Sequence, residues 1–265
     1  MTSTDPRSVH PVRVRILGVG MGPQHVTPEV AEALRTSDYV VAAEKSSGDG
    51  LLAVRRAIVD AYPGPDGPVD IVAVRDPERD RSPGLTGAGY RGAVADWHDA
   101  RAAEYAAVLR ARGGTAAFLV WGDPALYDST IRIVEKVRTT VRTLGVDLEY
   151  DVLPGISAPQ LLAARHRIVL HDVGRPVHVT TGRRLQEAVA AGQDNIVTML
   201  NPPPERMDRS GLDDWTVWWG ANLGAVGEQL VSGRLGDVFP DVVAARAVAK
   251  AQAGWVMDLF LLRKC

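Results

Sequence analysis

From residue 12 onward, short β-branched and apolar runs alternate with segments whose apolar positions recur at helical spacing. VRVRILGVG (12–20) reads as a strand. Thr27-Pro28-Glu29 then carries helix-start chemistry: a hydroxyl at the N-cap, proline at the first helical position and an acid in the first turn. A second strand is predicted at 39–45, a helix at 51–62 and a third strand at 69–75. The polar loop DPERDRSPGLTGAG follows, then a helix through Trp97, Ala102 and Leu109. Next come a strand at 115–122, a helix at 129–144 and a fifth strand at 148–153. Regular β–α alternation at this spacing predicts a parallel, doubly wound sheet.

Beyond Pro154-Gly155 the pattern changes. Ser157-Ala158-Pro159-Gln160 opens a helix with the S-x-x-Q arrangement of a capping box. Strands then crowd together: PVHVTT, NIVTML, TVWWGAN, QLVSGRL and WVMDLFLLR, with helices only at 183–191 and 241–253. Strands that follow one another without a crossover helix must pair antiparallel, so a mixed sheet is expected. The expected class is α/β in two α/β domains, an N-terminal one at 12–154 and a C-terminal one at 155–265. Residues 1–11 lack an apolar signal core and read as a short disordered leader.

Composition narrows the functional classes. Across 265 residues, 30 basic side chains nearly balance 32 acidic ones, for a net charge of −2. This excludes a broadly basic nucleic-acid coat and a polybasic membrane arm. No apolar run approaches the ~18 residues of a membrane span, and a cytoplasmic protein is expected. The single cysteine, Cys265, rules out a disulfide framework, a thiolate zinc site or a CxxC pair within one chain. The six histidines show no zinc spacing, so no metal is expected. The basic residues are 26 arginines and four lysines. Codon bias explains such an excess, and so does a need to hold planar anions bidentately; composition leaves both open.

Three loops draw the candidate chemistry to one place. Gly18-Val19-Gly20-Met21-Gly22 ends the first strand, Trp121-Gly122-Asp123-Pro124-Ala125-Leu126-Tyr127-Asp128 the fourth, and Pro154-Gly155-Ile156-Ser157-Ala158 the fifth. In a parallel sheet all three emerge on one edge, where open α/β sheets place their ligand crevice. A dinucleotide fold is one reading of the first loop, with Glu44 as the acid on the second strand. Pro23 stands where its third glycine belongs. A P-loop is excluded, because no Gly-Lys-Ser/Thr follows.

GVGMGP, GDPALYDS and PGISA, in this order and at these distances, resemble the tetrapyrrole (precorrin) methyltransferase family. The runs RDPERDR, WHDARAAEY, VWGDPALYDSTIR, LAARHRI, TTGRRL and GWVMDLFLLR are similar to its deacetylating members. The resemblance implies the tetrapyrrole methylase fold, S-adenosylmethionine folded in a cleft between the two domains, and a homodimer. It implies cofactor contacts from Met21, Trp121, Gly122, Asp123, Leu126, Ser157 and Ala158, from Met199 or Leu200, and from Asn222, Leu223 and Gly224. Met21 and Pro23 depart from the family's usual G-x-G-P-G-D. The implied reaction methylates C-1 of precorrin-5 and releases acetate, leaving S-adenosylhomocysteine and precorrin-6A.

Methyl transfer from a sulfonium mainly requires alignment. Loss of acetyl requires water to attack a carbonyl, hence a base and oxyanion donors. Tyr127, Asp128 and His98 are the candidates, with Arg101 one turn beyond His98 and Asp258 in the last strand also considered; each has a plainer use as a cap, surface pair or structural hydrogen bond. For a polycarboxylate substrate the candidate arginines are Arg183, Arg184, Arg79 and Arg81. The last two sit in a loop whose Asp76, Glu78 and Asp80 can neutralise it.

Overall fold

The computed structural model describes residues 12–44, 50–77 and 87–264, with the side chains at 87, 88, 90 and 91 left aside. The expected leader at 1–11, the candidate arginines Arg79 and Arg81, and Cys265 lie outside the described residues. The chain forms two compact units, divided between Gly155 and Ile156.

In the first unit, β1 (Val12–Gly18), β2 (Tyr39–Glu44), β3 (Asp70–Arg75), β4 (Gly114–Val120) and β5 (Leu148–Leu153) form an all-parallel sheet in the order β3-β2-β4-β1-β5. Helices α1 (Pro28–Arg35) and α2 (Gly50–Ala61) pack with Leu17, Val19, Val40 and Leu119. On the other face, α3 (Gly87–Arg112) and α4 (Thr130–Thr143) pack with Val14, Ile16, Val41 and Phe118. Both faces are covered, so β2 and β4 read as near-continuous apolar runs, whereas β1 alternates at Arg13 and Arg15 before its apolar end. Strand β4 returns beside β1, and β5 then lies on the far side of β1. Gly18 is level with Val120 in that pairing, so the loops after β1 and β4 start side by side.

In the second unit, β6 (His178–Thr181), β7 (Asn195–Met199), β8 (Thr216–Ala221), β9 (Gln229–Arg234) and β10 (Asp258–Arg263) take the order β6-β7-β10-β8-β9. Only β6 and β7 are parallel; β10 inserts antiparallel between β7 and β8, giving the expected mixed sheet. Trp219 and Phe260 are fully buried under α6 (Leu185–Ala190) and α7 (Leu235–Ala253). On α5 (Ala158–His166), Leu162 uses the space left by the missing side chain of Gly220.

Two predicted helices differ. The segment expected at 183–191 opens as a 3₁₀ turn, Gly182–Arg184, before α6. The helix expected from 241 begins six residues earlier, at Leu235. Pro240 resembles a first-turn proline but lies inside α7. The buried Leu235 and the Arg234–Asp237 ion pair start the helix instead.

Candidate functional site

The three loops of the first unit are tied together by main-chain atoms. Gly20 N–H donates to Gly122 O (3.2 Å) and Gly122 N–H to Gly20 O (2.8 Å), both residues in the left-handed region (φ 60° and 62°). A Cβ on Gly18 would lie 2.4 Å from Gly155 N, and one on Gly155 would lie 2.2 Å from Gly122 O. The glycines therefore serve the approach of backbone to backbone, where the sequence suggested approach to a ligand. That use also removes the dinucleotide reading. The slot at Gly18 is filled by Gly155, and Pro23 opens a 3₁₀ turn, Pro23–His25, rather than standing as a third glycine.

Asp123 locks this arrangement. One carboxylate oxygen accepts from Ala125 N–H (2.8 Å) and the other from Gly155 N–H (3.0 Å). Leu126 N–H closes the turn on Asp123 O (3.1 Å). Tyr127 follows, exposed and at φ 52°, a conformation that costs a non-glycine residue about 1 kcal/mol or more. Asp128 accepts from the N–H of Thr130 (2.6 Å), the first residue of α4, with Ser129 at the N-cap position between them. Trp121 stacks beneath the Arg55 guanidinium (5.1 Å), and its buried indole N–H has no acceptor among the described residues. The side chain of Met21 is buried, so any ligand contact there is through backbone.

His98 stands apart from this edge loop. It lies against Trp97 on α3 (5.2 Å between rings), beside the end of β3, and β2 separates β3 from β4. Its neighbour Arg101 is committed to Asp76, with N–O distances of 2.6 and 3.0 Å and side-chain exposures of 15% and 9%. Arg101 also lies over the Trp97 ring (4.1 Å). One turn on, Tyr105 is buried against Phe118, and burial raises its phenol pKa. The sequence pattern singles out neither Asp76 as a partner nor Tyr105.

In the second unit the remaining candidates collect on the edge where β6, β7 and β8 end and β10 begins. Leu200 is 64% exposed at φ 51°, an apolar side chain held outward by a costly backbone. Met199 ends β7 beside it. Asn222 is fully buried at φ 49°; its amide donates to Trp255 O (3.2 Å) and its oxygen accepts from Met257 N–H (2.9 Å). Its backbone is engaged as well, the N–H donating to Met257 O (2.9 Å) and the carbonyl accepting from Ala225 N–H (2.8 Å). Leu223 is buried, and Gly224 N–H donates to Glu228. Ser157 caps α5, with Gln160 accepting from Ser157 N–H (2.9 Å) as the capping box requires, and Ala158 is the first helical residue.

Arg183 and Arg184 lie in the 3₁₀ turn after β6. Gly182 is demanded there, since a Cβ would come within 2.5 Å of the Asn201 side-chain oxygen. Arg184 Nε donates to Glu187 (2.8 Å), and this bond holds the glutamate below its usual pKa. The guanidinium is exposed yet already locally paired. Asp258 pairs with Arg246 (2.9 Å); burial raises its pKa, and Arg246 opposes the shift. Among the described residues no helix is long and apolar enough to cross a membrane. Nor does any group of three or more His, Cys, Asp or Glu there suit a metal ion.

Comparison with known proteins places this architecture. The family model for Tetrapyrrole (Corrin/Porphyrin) Methylases matches residues 13–238. A precorrin-6A synthase [deacetylating] of Sinorhizobium sp. is 40% identical over 260 residues, 95% of each chain. The structure of a cobalamin synthesis related protein (CobF) from Corynebacterium diphtheriae superposes with a TM-score of 0.76 at 34% identity, covering 95% of this chain and 98% of that one. A uroporphyrin-III C-methyl transferase of Thermus thermophilus, complexed with S-adenosylhomocysteine, shares the fold (TM-score 0.56, 17% identity, 94% and 91% covered).

Proposed function

The chain belongs to the tetrapyrrole (corrin/porphyrin) methylases, and we propose that it methylates C-1 of precorrin-5 from S-adenosylmethionine and releases the ring's acetyl group as acetate, giving precorrin-6A. The observation that carries this reading is the 40% identity, over 95% of both chains, to a precorrin-6A synthase of the deacetylating type. A homodimer is the assembly that accompanies it.

When bound, S-adenosylmethionine supplies an electrophilic methyl on a sulfonium. The protein's part in that step is orientation, which can contribute several kcal/mol. The Asp123-locked loop of the first unit suits that role, being rigid and carrying a buried Trp121 N–H that lacks an acceptor among the described residues. Trp121, Gly122, Asp123 and Leu126, with the backbone at Met21, are assigned to the cofactor. Ser157, Ala158, Met199, Leu200 and the backbone of Asn222, Leu223 and Gly224 are assigned with them. Tyr127, Asp128 and His98 are the proposed groups for acetyl hydrolysis. Tyr127 leads, because it is exposed at the end of the Asp123-held turn and adopts a positive φ there.

Incubating the protein with precorrin-5 and methyl-labelled S-adenosylmethionine tests the reaction. Label on the ring with one acetate per turnover is expected. A methylated ring without acetate overturns the deacetylating assignment, and bound pigment without label overturns the transferase.

Two variants probe the site. Asp123→Ala frees Gly155 N–H and opens the 123–126 turn, and is expected to weaken S-adenosylhomocysteine binding about tenfold by titration calorimetry. Arg184→Ala is expected to raise KM for precorrin-5 about fivefold while cofactor affinity holds, since rim-exposed charges contribute modestly. An unchanged KM would reduce Arg184 to the local partner of Glu187.

A further inference from the structure

The loop after β1 is shaped by a side chain that none of the assigned roles includes. His25 ends the 3₁₀ turn, is only 7% exposed, and accepts the Met21 N–H at Nδ1 (3.2 Å). Gly20 rests directly on it: a Cβ there would lie 2.4 Å from His25 Cβ. Gly20 is in turn the residue that pairs through both main-chain bonds with Gly122, one position before Asp123. A chain of contacts thus runs from the imidazole to the backbone of Gly20 and Met21 and on to the loop after β4. From the other side, Tyr62 at the end of α2 donates to Pro23 O (2.8 Å), with Arg35 over its ring (5.6 Å). Tyr62 and Arg35 are the titratable groups that reach the turn from this side.

We propose that His25 is a positioning residue for the cofactor: its neutral imidazole, accepting at Nδ1, holds the backbone of Gly20 and Met21 in the form that binds S-adenosylmethionine. This rests on assigning the first loop to the cofactor. An imidazole accepts at Nδ1 only with the proton on the other nitrogen; once doubly protonated it presents a donor to the Met21 donor, and the bond is lost. Met21 N–H, buried with its residue, then has no partner in the turn, a state that is costly to leave uncompensated. The loop must rearrange to satisfy it.

The side-chain oxygen of asparagine sits where Nδ1 does and accepts without titrating, which separates positioning from mere filling of space. S-adenosylhomocysteine binding to wild type, His25→Asn and His25→Ala is measured by calorimetry at pH 7.5 and pH 5.5, with thermal unfolding recorded alongside. Expected at pH 7.5 are an affinity for His25→Asn within about threefold of wild type and a loss of about tenfold or more for His25→Ala. At pH 5.5 wild type is expected to weaken several-fold while His25→Asn changes less than twofold. Equal weakness in both variants, or an acid response that His25→Asn retains in full, overturns the proposal even if His25→Ala also loses stability. Wild type that binds no S-adenosylhomocysteine at either pH overturns the cofactor assignment, and the positioning role with it.

Discussion

Gly155→Ala is expected to lower the unfolding free energy by about 2–3 kcal/mol and to weaken S-adenosylhomocysteine binding by more than tenfold. The added methyl would meet Gly122 O at 2.2 Å and Gly18 C and O at 2.5 and 2.6 Å. All three are main-chain atoms, so no side chain can swing aside. The loops after β1, β4 and β5 must separate, and Gly155 N–H leaves Asp123 as they do. Urea denaturation and calorimetric titration read the two effects. Gly92→Ala is the control: it is exposed within α3, a Cβ there meets nothing within 4 Å, and a gain of about 0.5–1 kcal/mol is expected. Wild-type stability in Gly155→Ala would show that the three loops are not in contact.

That glycine also marks how far the sequence could be read. The alternation of apolar runs was sufficient for the parallel sheet, because a strand buried on both faces and an amphipathic helix leave different patterns. Caps were legible for the same local reason. Thr27 accepts from Val30 N–H, and Ser157 with Gln160 forms its box, within three residues each. The glycine-rich turns do lie together on one sheet edge, where they pack on one another; nothing local distinguishes room for a ligand from room for another loop. The expected start of α7 at 241 falls six residues late, because the observed start has no side-chain cap and is set by tertiary burial of Leu235. The Arg184–Glu187 pair, three residues apart, was readable from helical spacing. The Asp76–Arg101 pair joins a strand end to a helix 25 residues on, and no periodicity encodes such a partner. His25 was hidden differently: its bond to Met21 spans four residues but belongs to a turn with no sequence pattern.

Asp76→Ala is expected to cost about 3 kcal/mol, the low end for breaking a buried ion pair. Arg101 would be left charged against the Trp97 face, with 15% of its side chain exposed to regain water. Trp97 is itself fixed by its indole N–H on Pro77 O (3.1 Å), so the stacked ring cannot follow the guanidinium outward. Removing both charges in Asp76→Leu/Arg101→Met should restore most of the loss, because desolvating the pair opposes much of its attraction. Chemical denaturation of the two single variants and the double measures this, and an Asp76→Ala within about 0.5 kcal/mol of wild type would make the pair an ordinary surface contact. The same cycle separates stability from function. The pair joins α3 to the end of β3, whereas the β4 loop is held by Asp123, Gly155 and Gly20. S-adenosylhomocysteine affinity should therefore stay within about threefold of wild type in the folded Asp76→Ala protein, under half of the roughly 1.4 kcal/mol that a tenfold change represents. A larger loss would mean that the strain of an unpaired Arg101 reaches the β4 loop, through Tyr105 and the Phe118 ring on which it packs.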